Sequence, residues 1–438
     1  MRISVVGAGY AGLVTAACLA ELGHDVACID SDVAKIELLS AGTAPIYEPG
    51  LDDLLHRTSS EGRLRFSTEY EGPIQGSKVV FIVVGTPGSS DRSADVSQVM
   101  TAVDGCAPYL DHDATVVMKS TVPVGTTRLV GERLMELRPD AGITVASNPE
   151  FLRQGSAVGD FVRPDRLVVG IDTARAEERL RQVYQPILQA SVPAVFTTIE
   201  SAELIKYASN AFLATKLSFI NEIADLCEAS GASIDEVAHG LGLDPRIGPS
   251  FLKAGPGFGG ACLPKDTNAL LHTIRSHGTG THVVSAALEA NRDRVARMVA
   301  KIAHSLDRPL QASRLGVLGI TFKANTDDVR ESPAVEIVNS LVDSGATVRL
   351  YDPQGMDRAK SVVRPSIEFA VDAYDTMDGA DGLVILTEWS EFGTLDLDAV
   401  RSRLVSPVII DLRNLYEQRE MAAAGFRYSS VGRVSPAP

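Results

Sequence analysis

The chain has 438 residues, of which 45% are hydrophobic and 22% charged, and its formal net charge is −15 at pH 7. This composition is typical of a soluble globular protein, and the length predicts two or three domains. The negative charge argues against nucleic-acid binding, and any anionic ligand would need a local cluster of basic residues. The run Met1–Gly7 is apolar but short, so we interpret it as a strand and not as a signal peptide. No apolar stretch approaches the about 18 residues of a membrane span.

The cysteines are few, odd in number and free of CxxC or CxxH spacing. They are Cys18, Cys28, Cys106, Cys227 and Cys262. Neither a disulfide scaffold nor a metal site is expected from this pattern. We predict a reducing compartment, the cytoplasm.

Short β-rich runs alternate with helix-compatible stretches in the first half of the chain. These runs are Ile3–Val6, Val26–Ile29, Val79–Val84 and Thr115–Met118. Such alternation predicts a doubly wound parallel sheet.

A long helix and a second set of strands follow. The stretch Ser201–Ser230 contains neither Gly nor Pro and predicts one helix, and the strand pattern returns from Leu315 onwards. We predict an α/β fold with two Rossmann-like doubly wound domains joined by a long central helix. The expected domains are residues 1–200, a central helical and dimerisation domain at 201–306 that carries the reactive loop, and residues 307–438. The tail after Arg427 is expected to be frayed.

The first predicted strand leads directly into a glycine-rich turn and a helix. Gly7 permits a tight turn, Gly9 lets the backbone approach a pyrophosphate, and Gly12 allows close packing of the helix on the strand. Asp30 ends the next strand, where an aspartate accepts hydrogen bonds from a ribose 2′-hydroxyl and disfavours a 2′-phosphate. The pattern indicates an NAD site. A glycine turn without a ligand, and Asp30 as a helix cap, remain alternatives.

Hydroxyl side chains follow two further strands of the first sheet. Thr86 lies in the run Gly85–Pro87, and Thr121 follows Lys119 and Ser120. Ligands of open α/β sheets bind at the carboxyl ends of strands, where both threonines fall. Taken singly, each threonine is more typical of a turn or cap residue than of a ligand contact.

The most informative stretch is 255–266, which reads GPGFGGACLPKD. A cysteine that only fills a core needs no glycine-rich approach, and a nearby positive charge favours a nucleophilic thiolate. Cys262, with Lys265 and Asp266 after it, is therefore the candidate nucleophile.

The sequence resembles the UDP-glucose/GDP-mannose dehydrogenase family over essentially its whole length. The matching motifs are GAGYAG, GTP, KSTVPVGTT, NPEFLRQG, AELIKYASNAFLATKLSFINE, FLKAGPGFGGACLPKD and FKANTDDVRESP. The resemblance implies a four-electron, NAD-dependent oxidation of the C6 alcohol of a nucleotide sugar, UDP-glucose giving UDP-glucuronate. Cys262 would hold the intermediates, first as a thiohemiacetal and then as a thioester.

The resemblance also assigns roles to individual residues. The implied catalytic residues are Cys262, Lys206, Asn210, Asp266, Thr121 and Glu150. The implied NAD contacts are Gly7, Gly9, Tyr10, Ala11, Gly12, Asp30, Lys35, Thr86, Thr121, Gln154, Lys265 and Arg330. The implied sugar-nucleotide contacts are Glu150, Phe151, Leu152, Arg153, Lys206, Asn210, Arg246, Phe251, Leu252, Lys253, Ala254, Gly255, Gly259, Phe322 and Lys323. Arg246 would enter the site of a neighbouring subunit, in a homodimer joined along the long helix.

Lys206 and Asn210 are four residues apart, so a helix directs both side chains from one face, where they could bind a substrate oxygen and later an oxyanion. Glu203 lies on the same face, where an exposed Glu–Lys pair is the ordinary interpretation. One departure from the family pattern is Gln154, where relatives usually carry a glutamate. An amide cannot take a proton at neutral pH, so water activation would fall to Asp266, Glu150 or a water chain.

Several alternatives stay open at this point. The same chemistry could act on GDP-mannose, a dTDP-sugar or a UDP-N-acetylhexosamine. A non-catalytic sensor of nucleotide sugar and NAD is favoured only by Gln154. A two-electron hydroxyacid dehydrogenase shares the layout but needs no glycine-rich cysteine loop.

Overall fold

The computed structural model describes residues 1–89 and 91–434. The chain divides into two compact units, one made of Met1–Ser209 with Asn268–Thr279 and the other of Asn210–Thr267 with Gly280–Pro438. The division falls inside the helices Ile199–Ser230 and Leu263–Ser276 and between residues 279 and 280. The three-part division at residues 200 and 306 stays a prediction.

The described residues form fourteen strands. They are β1 Arg2–Val6, β2 Asp25–Ile29, β3 Leu64–Ser67, β4 Val79–Ile82, β5 Thr115–Met118, β6 Thr144–Ser147, β7 Leu167–Gly170, β8 Ala194–Thr197, β9 Arg314–Leu318, β10 Thr347–Tyr351, β11 Glu368–Phe369, β12 Gly382–Ile385, β13 Val408–Asp411 and β14 Arg427–Ser430.

The α-helices are α1 Tyr10–Glu21, α2 Val33–Ser40, α3 Leu51–Ser60, α4 Glu71–Ile74, α5 Ser97–Cys106, α6 Thr126–Leu137, α7 Ala157–Val162, α8 Ala174–Val183, α9 Gln185–Gln189, α10 Ile199–Ser230, α11 Ile234–Gly242, α12 Leu263–Ser276, α13 His282–Ser305, α14 Pro333–Asp343, α15 Met356–Ala359, α16 Leu397–Arg403 and α17 Gln418–Ala423. Short 3-10 helices lie at Ala107–Tyr109, Leu310–Ala312, Asp375–Met377 and Ser390–Thr394. No helix in these ranges is both long and apolar enough to cross a membrane.

The two sheets repeat one strand order. The first runs β3-β2-β1-β4-β5-β6-β7-β8 and the second β11-β10-β9-β12-β13-β14. All pairings are parallel except β6 with β7, which meet antiparallel at Ser147 and Gly170. Six strands of each sheet therefore follow the 3-2-1-4-5-6 order of a dinucleotide-binding fold.

Alternate strand residues enter different cores, which is why the strands are apolar throughout. Ile3 and Val5 pack with α1, α7 and α8, whereas Val6 and Ile82 pack with α5 and α6 on the opposite face of the first sheet. The second sheet likewise has one core on each face. Burial on both faces is expected when helices cover a parallel sheet on both sides. The predicted α/β architecture is confirmed.

The second sheet repeats the turn geometry of the first, but the carboxylate next to its turn is fully hydrogen-bonded within the protein. Gly319 donates to the Tyr351 carbonyl at 2.8 Å, as Gly7 donates to the Ile29 carbonyl at 2.7 Å. Asp352, at the position matching Asp30, is 1% exposed. Its Oδ2 accepts from the Ile320 N–H, from the N–H and hydroxyl of Thr321, and from Trp389 Nε1. Its Oδ1 accepts the N–H groups of Gln354 and Gly355. The carboxylate is thus saturated by protein donors.

The prediction of a frayed tail after Arg427 is wrong for the described residues. Arg427–Ser430 forms β14, paired in parallel with β13, and Tyr428 and Val431 are buried. The Tyr428 hydroxyl donates to Asp411 at 2.8 Å, which fixes this segment to the sheet. Residues 435–438 lie outside the described part.

Candidate active site

The glycine-rich turn of the first unit combines close packing with open space. A Cβ at Gly7, which has φ of +106°, would lie 2.4 Å from the Val83 carbonyl oxygen, and one at Gly12 would lie 1.9 Å from the Gly7 oxygen. At Gly9 a Cβ would meet no atom within 4 Å. Two glycines are therefore required by packing, and the third leaves backbone accessible at the N-terminus of α1, where a pyrophosphate fits.

Asp30 points its carboxylate at this turn. It accepts from the Ala8 N–H at 2.7 Å, the Asp32 N–H at 3.0 Å and Lys35 Nζ at 3.0 Å. Burial opposes ionisation of Asp30, but these hydrogen bonds and the Lys35 charge outweigh it and lower its pKa. The cap of α2 is Asp32, whose side chain accepts the Lys35 N–H, so the alternative of Asp30 as cap is wrong.

One residue of the turn, Tyr10, lies beside a buried acid that the sequence did not reveal. Tyr10, at the start of α1 and next to half-buried Ala11, donates its hydroxyl to Glu48. Burial, followed by this carboxylate, raises the pKa of Tyr10. Glu48 also accepts the Gly155 N–H at 2.6 Å and the Ala157 N–H at 2.7 Å. The glycine-rich turn and the segment 150–157 are thereby tied together within the first unit.

The strand ends of β4 and β5 are linked by the two predicted threonines. Thr86 donates its hydroxyl to the Thr121 carbonyl at 2.8 Å. Behind them Lys119 is buried and donates to Asn148 Oδ1 at 3.1 Å. Burial lowers the pKa of Lys119 to about 8. The structure places both threonines at the carboxyl edge of the sheet.

Glu150 and Lys206 form a buried ion pair in the first unit. Lys206 Nζ lies 3.1 Å from Glu150 Oε1, with side chains 4% and 11% exposed. Burial alone would raise the pKa of Glu150, but the Lys206 charge, the Leu152 N–H at 2.6 Å and the Lys119 charge lower it. The Phe151 ring lies 5.4 Å from Lys206 Nζ. A carboxylate that stays ionised in this setting holds the lysine in place.

The rest of the segment 150–157 has other contacts. Arg153 is exposed and pairs with Asp160 at 2.5 Å. Leu152 packs against the core of the first sheet. Gln154 is half-buried in the turn between Arg153 and Gly155.

Glu203 contradicts the interpretation of an exposed helix pair. It is 3% exposed and accepts the Gly125 N–H at 2.7 Å and both the N–H and the hydroxyl of Thr127, at 2.8 and 2.6 Å. Burial nevertheless raises the pKa of Glu203. Its carboxylate supplies the acceptor that α6 lacks at its glycine N-cap.

In the second unit, three predicted residues are hydrogen-bonded to one another next to Cys262. Asn210 Nδ2 donates to Asp266 Oδ2 at 2.6 Å, and Lys265 Nζ donates to its Oδ1 at 2.7 Å. Asp266 is 1% exposed, and its N–H donates to the Cys262 carbonyl at 2.8 Å. Cys262 stands immediately before α12, where N–H groups and the helix dipole favour a thiolate.

Cys262 differs from the other cysteines in exposure. It is half-buried, whereas Cys18, Cys28, Cys106 and Cys227 are buried, and none of these five described cysteines forms a disulfide. Burial raises the pKa of Cys18, Cys28 and Cys106 to about 12, and it also raises the pKa of Cys227. Cys262 is therefore the thiol available for chemistry.

The segment 319–333 packs against the glycines before Cys262. A Cβ at Gly259 would lie 2.1 Å from the Glu331 carbonyl oxygen, and one at Gly260 would lie 2.9 Å from the Phe322 ring. The Gly260 N–H donates to the Arg330 carbonyl at 3.0 Å. Hydrogen bonds to Asp328 raise the pKa of Arg330, and the nearby Cys262 sulfur adds to this. Arg330 thus lies within electrostatic range of the thiol.

The remaining predicted contacts of the second unit lie partly at the surface. Phe251 has φ of +62°, a strained conformation for an aromatic residue, and Leu252, Ala254 and Gly255 are buried, whereas Lys253 is exposed. Lys323 Nζ lies 5.7 Å from the Phe322 ring. The structure does not bring Arg246 to these residues: its side chain is 87% exposed and pairs with Asp244.

Comparisons with known proteins agree along the whole chain. Three domains of the UDP-glucose/GDP-mannose dehydrogenase family match: the NAD binding domain at residues 1–188, the central domain at 200–293 and the UDP binding domain at 316–418. A UDP-glucose 6-dehydrogenase of Rhizobium meliloti is 48% identical over 436 residues, covering 99% of this chain and 100% of the relative.

Solved structures give the same result. A UDP-glucose dehydrogenase from Pyrobaculum islandicum has a TM-score of 0.90 at 38% identity, covering 99% of this chain and 98% of that chain. A UDP-D-ManNAc dehydrogenase from Pyrococcus horikoshii has a TM-score of 0.87 at 28% identity, covering 99% of both chains. NAD is accordingly the cofactor of the first unit, and the chain belongs to the UDP-glucose/GDP-mannose dehydrogenase family.

Proposed function

We propose that this protein is a UDP-glucose 6-dehydrogenase, which oxidises the C6 alcohol of UDP-glucose to a carboxylate through Cys262. The observation that carries the proposal is the setting of Cys262, the one thiol of five that is not buried, directly before the Lys265–Asp266–Asn210 hydrogen-bonded group. Identity of 48% to a UDP-glucose 6-dehydrogenase supports the substrate.

The first oxidation removes a hydride and a proton from the C6 alcohol and leaves an aldehyde. NAD, when bound, supplies the hydride acceptor. Lys206, fixed by Glu150, is assigned to the C6 oxygen, and Asp266 takes the hydroxyl proton through water. The Cys262 sulfur then bonds to the aldehyde carbon, and the former carbonyl oxygen takes the thiol proton. Asn210 and Lys206 stabilise charge on that oxygen.

A second loss of a hydride and a proton converts the thiohemiacetal to a thioester. Water then cleaves the C–S bond, which releases the carboxylate and restores the thiol. Asp266, or Glu150 through water held at Thr121, is assigned to the activation of that water, since Gln154 cannot accept a proton. Hydrolysis is therefore the step most sensitive to Gln154.

The reaction stoichiometry tests this mechanism. We expect two NADH per sugar consumed, with no free aldehyde, because the thiol retains the intermediate. Cys262→Ala is expected to abolish carboxylate formation and to leave nucleotide-sugar binding nearly intact. One NADH per sugar with release of an aldehyde, or carboxylate formation by Cys262→Ala at near the wild-type rate, would refute the covalent mechanism.

The second unit is assigned to the nucleotide sugar. The segment Phe251–Gly255, together with Gly259, Phe322 and Lys323, is proposed to contact the sugar nucleotide, and Lys253 and Lys323 supply positive charge in an acidic chain. Phe151, Leu152 and Arg153 are assigned to the sugar in the same proposal. NADH formation over UDP-glucose, GDP-mannose, a dTDP-sugar and a UDP-N-acetylhexosamine tests the substrate. A higher kcat/KM for any of the other three would overturn UDP-glucose.

We also propose a homodimer joined along α10, with Arg246 entering the partner's site. The support is a row of apolar side chains seven residues apart, Phe212, Phe219 and Leu226, which are 67%, 47% and 59% exposed. Apolar rows of this kind mark protein interfaces. Light scattering should give twice the chain mass for the wild type and for Val371→Glu, an exposed control, but the monomer mass for Phe219→Glu. A monomeric wild type would contradict the dimer.

The three-domain division and the location remain proposals as well. The family domains end at 188, 293 and 418, in support of boundaries near 200 and 306, and limited proteolysis should cut first near residue 306. The lack of a disulfide among the five cysteines, all of which lie within the described residues, supports a reducing cytoplasmic location. Fractionation of the native cells would test it, and recovery outside the cytoplasm would contradict it.

A further inference from the structure

The chain that leads to Cys262 has no regular secondary structure of its own. Residues 252–259 lie outside helices and strands, yet Leu252, Ala254, Phe258 and Gly259 are buried. A buried loop needs partners for its backbone groups, and its position depends on where those partners stand. The placement of the Cys262 thiol therefore depends on side chains outside the loop.

Asn291 of α13 holds this loop by two hydrogen bonds to one residue. Its Oδ1 accepts the Phe258 N–H at 2.8 Å, and its Nδ2 donates to the Phe258 carbonyl at 3.0 Å. The side-chain amide thereby makes the two backbone hydrogen bonds that a neighbouring β-strand would otherwise make. Phe258, four residues before Cys262, is fixed on both its donor and its acceptor side.

Gly257 gives independent support for this contact. Its φ is +125°, which residues with a side chain rarely adopt, and a Cβ there would lie 2.9 Å from Asn291 Oδ1. The glycine is thus needed for the close approach of the amide. In the sequence GPGFGG, the second glycine, Gly257, has no side chain that would clash with the Asn291 amide.

The same helix contacts the loop one turn further on. Arg294, 2% exposed, donates from Nε to the Gly255 carbonyl at 3.0 Å, while Asn221 accepts the Gly255 N–H at 2.9 Å. Arg294 is itself anchored by Asp225. Gly255 is therefore held from two helices, and among these side-chain contacts that of Asn291 is the closest in sequence to the thiol.

We infer that Asn291 is a positioning residue for Cys262, whose amide sets where the sulfur stands when it captures the C6 aldehyde. This inference rests on the proposed role of Cys262 as nucleophile. Capture forms a C–S bond and moves the thiol proton to the carbonyl oxygen. A displaced sulfur forms that bond more slowly, because misplacement by about 1 Å can slow a reaction about 10²-fold. Part of the aldehyde then leaves uncaptured.

Three variants test the inference. Asn291→Asp keeps the acceptor for Phe258 and loses the donor, and Asn291→Ala loses both. Asn339→Asp is the matched control, because Asn339 makes the same pair of bonds to backbone, to the Val362 carbonyl at 3.1 Å and from the Arg364 N–H at 2.9 Å. The control loses the equivalent amide donor in a contact that does not touch the cysteine loop.

The first readout is the ratio of NADH to carboxylate, with free aldehyde trapped by hydroxylamine. This ratio does not change if a variant merely contains less folded enzyme. We expect 2 for the wild type and Asn339→Asp, and a higher ratio with trapped aldehyde for Asn291→Asp, higher still for Asn291→Ala. The second readout is the rate of Cys262 alkylation by iodoacetamide without substrate, expected to change at least threefold in both Asn291 variants only.

A ratio of 2 together with an unchanged alkylation rate in both Asn291 variants would overturn the inference. If Asn291→Ala does not fold, Asn291→Asp and Gly257→Ala provide the same test. Cys262→Ala, assayed in parallel, separates this outcome from failure of the proposed function. Carboxylate formation by Cys262→Ala would refute the nucleophile, whereas the alkylation rates would still report whether Asn291 positions the thiol.

Discussion

Variants of the buried Lys206–Glu150 pair can distinguish an effect on stability from an effect on catalysis. Replacing Lys206 by Met removes the charge at similar length and leaves the Glu150 carboxylate without its cation in a site that is 11% exposed. Breaking a buried pair costs about 3–5 kcal/mol. Because the Leu152 N–H and the Lys119 charge remain, we expect the lower end, about 3 kcal/mol. That corresponds to a fall of roughly 6–12 °C in the thermal midpoint.

The double variant Lys206→Met with Glu150→Gln supplies the decisive comparison. Neutral isosteres often replace a buried ion pair at little cost, so we expect the thermal midpoint to return to within roughly 4 °C of the wild type. Activity should remain lost, because the charge assigned to the C6 oxygen is absent. Thermal unfolding followed by circular dichroism and NADH formation measure the two properties. A double variant as unstable as the sum of both single variants would refute this reasoning.

The pH dependence of the same pair has a definite sign. The pKa of Glu150 is lowered in the folded chain, so its ionisation stabilises the protein above the ordinary carboxyl pKa. That contribution is lost as the pH falls through the lowered pKa. The difference in thermal midpoint between the wild type and Glu150→Gln should therefore be largest at neutral pH and shrink in acid.

Three further predictions follow from single residues. NAD should exceed NADP at least tenfold in kcat/KM, about 1.4 kcal/mol, and Asp30→Ser should narrow that ratio; equal use by the wild type would contradict a ribose contact of Asp30. The wild type should show a burst of NADH before a slower steady rate, and Gln154→Glu should shrink it by faster thioester hydrolysis; rapid-quench analysis that finds no acyl-enzyme in the wild type would contradict this. Burial lowers the pKa of Lys119 to about 8, so above that pH the unfolded chain binds more protons than the folded chain. The thermal midpoint of the wild type should therefore rise relative to that of Lys119→Met between pH 8 and 10. A difference between the two midpoints that stays constant over this range would contradict the burial argument.

Local patterns in the sequence were sufficient for much of the fold. Strands β1, β2, β4 and β5 begin and end within two residues of the predicted runs, because strands covered on both faces are continuously apolar. The predicted helix Ser201–Ser230 begins two residues earlier, at Ile199. The edge strand β8 escaped prediction because its first residues, Ala194 and Val195, are exposed. Strands β3 and β14 are only four residues long and contain at most two apolar residues each.

The contacts that could not be predicted join residues distant in sequence. Glu203 binds Thr127, 76 residues away, and its burial depends on how α6 packs. Asn291 binds Phe258 across 33 residues, and an asparagine in a charged helix carries no sign of that partner. Glu48 reaches Gly155 across 107 residues. Motifs therefore indicated the candidate reactive residues, whereas the side chains that contact them from distant parts of the chain became visible only in three dimensions.

The saturated carboxylate of Asp352 limits how many cofactor molecules the chain can hold. The Asp352 carboxylate accepts six hydrogen bonds from Thr321, Trp389 and backbone donors, whereas Asp30 accepts three and can still accept a further donor from a ribose. A calorimetric titration should saturate at one dinucleotide per chain. In the proposed four-electron oxidation, two NAD molecules must then bind one after the other at the same site. The first NADH must leave while the half-oxidised sugar stays bound. The covalent bond proposed at Cys262 would allow that exchange without loss of the intermediate, and product inhibition by NADH should then act on both halves of the cycle.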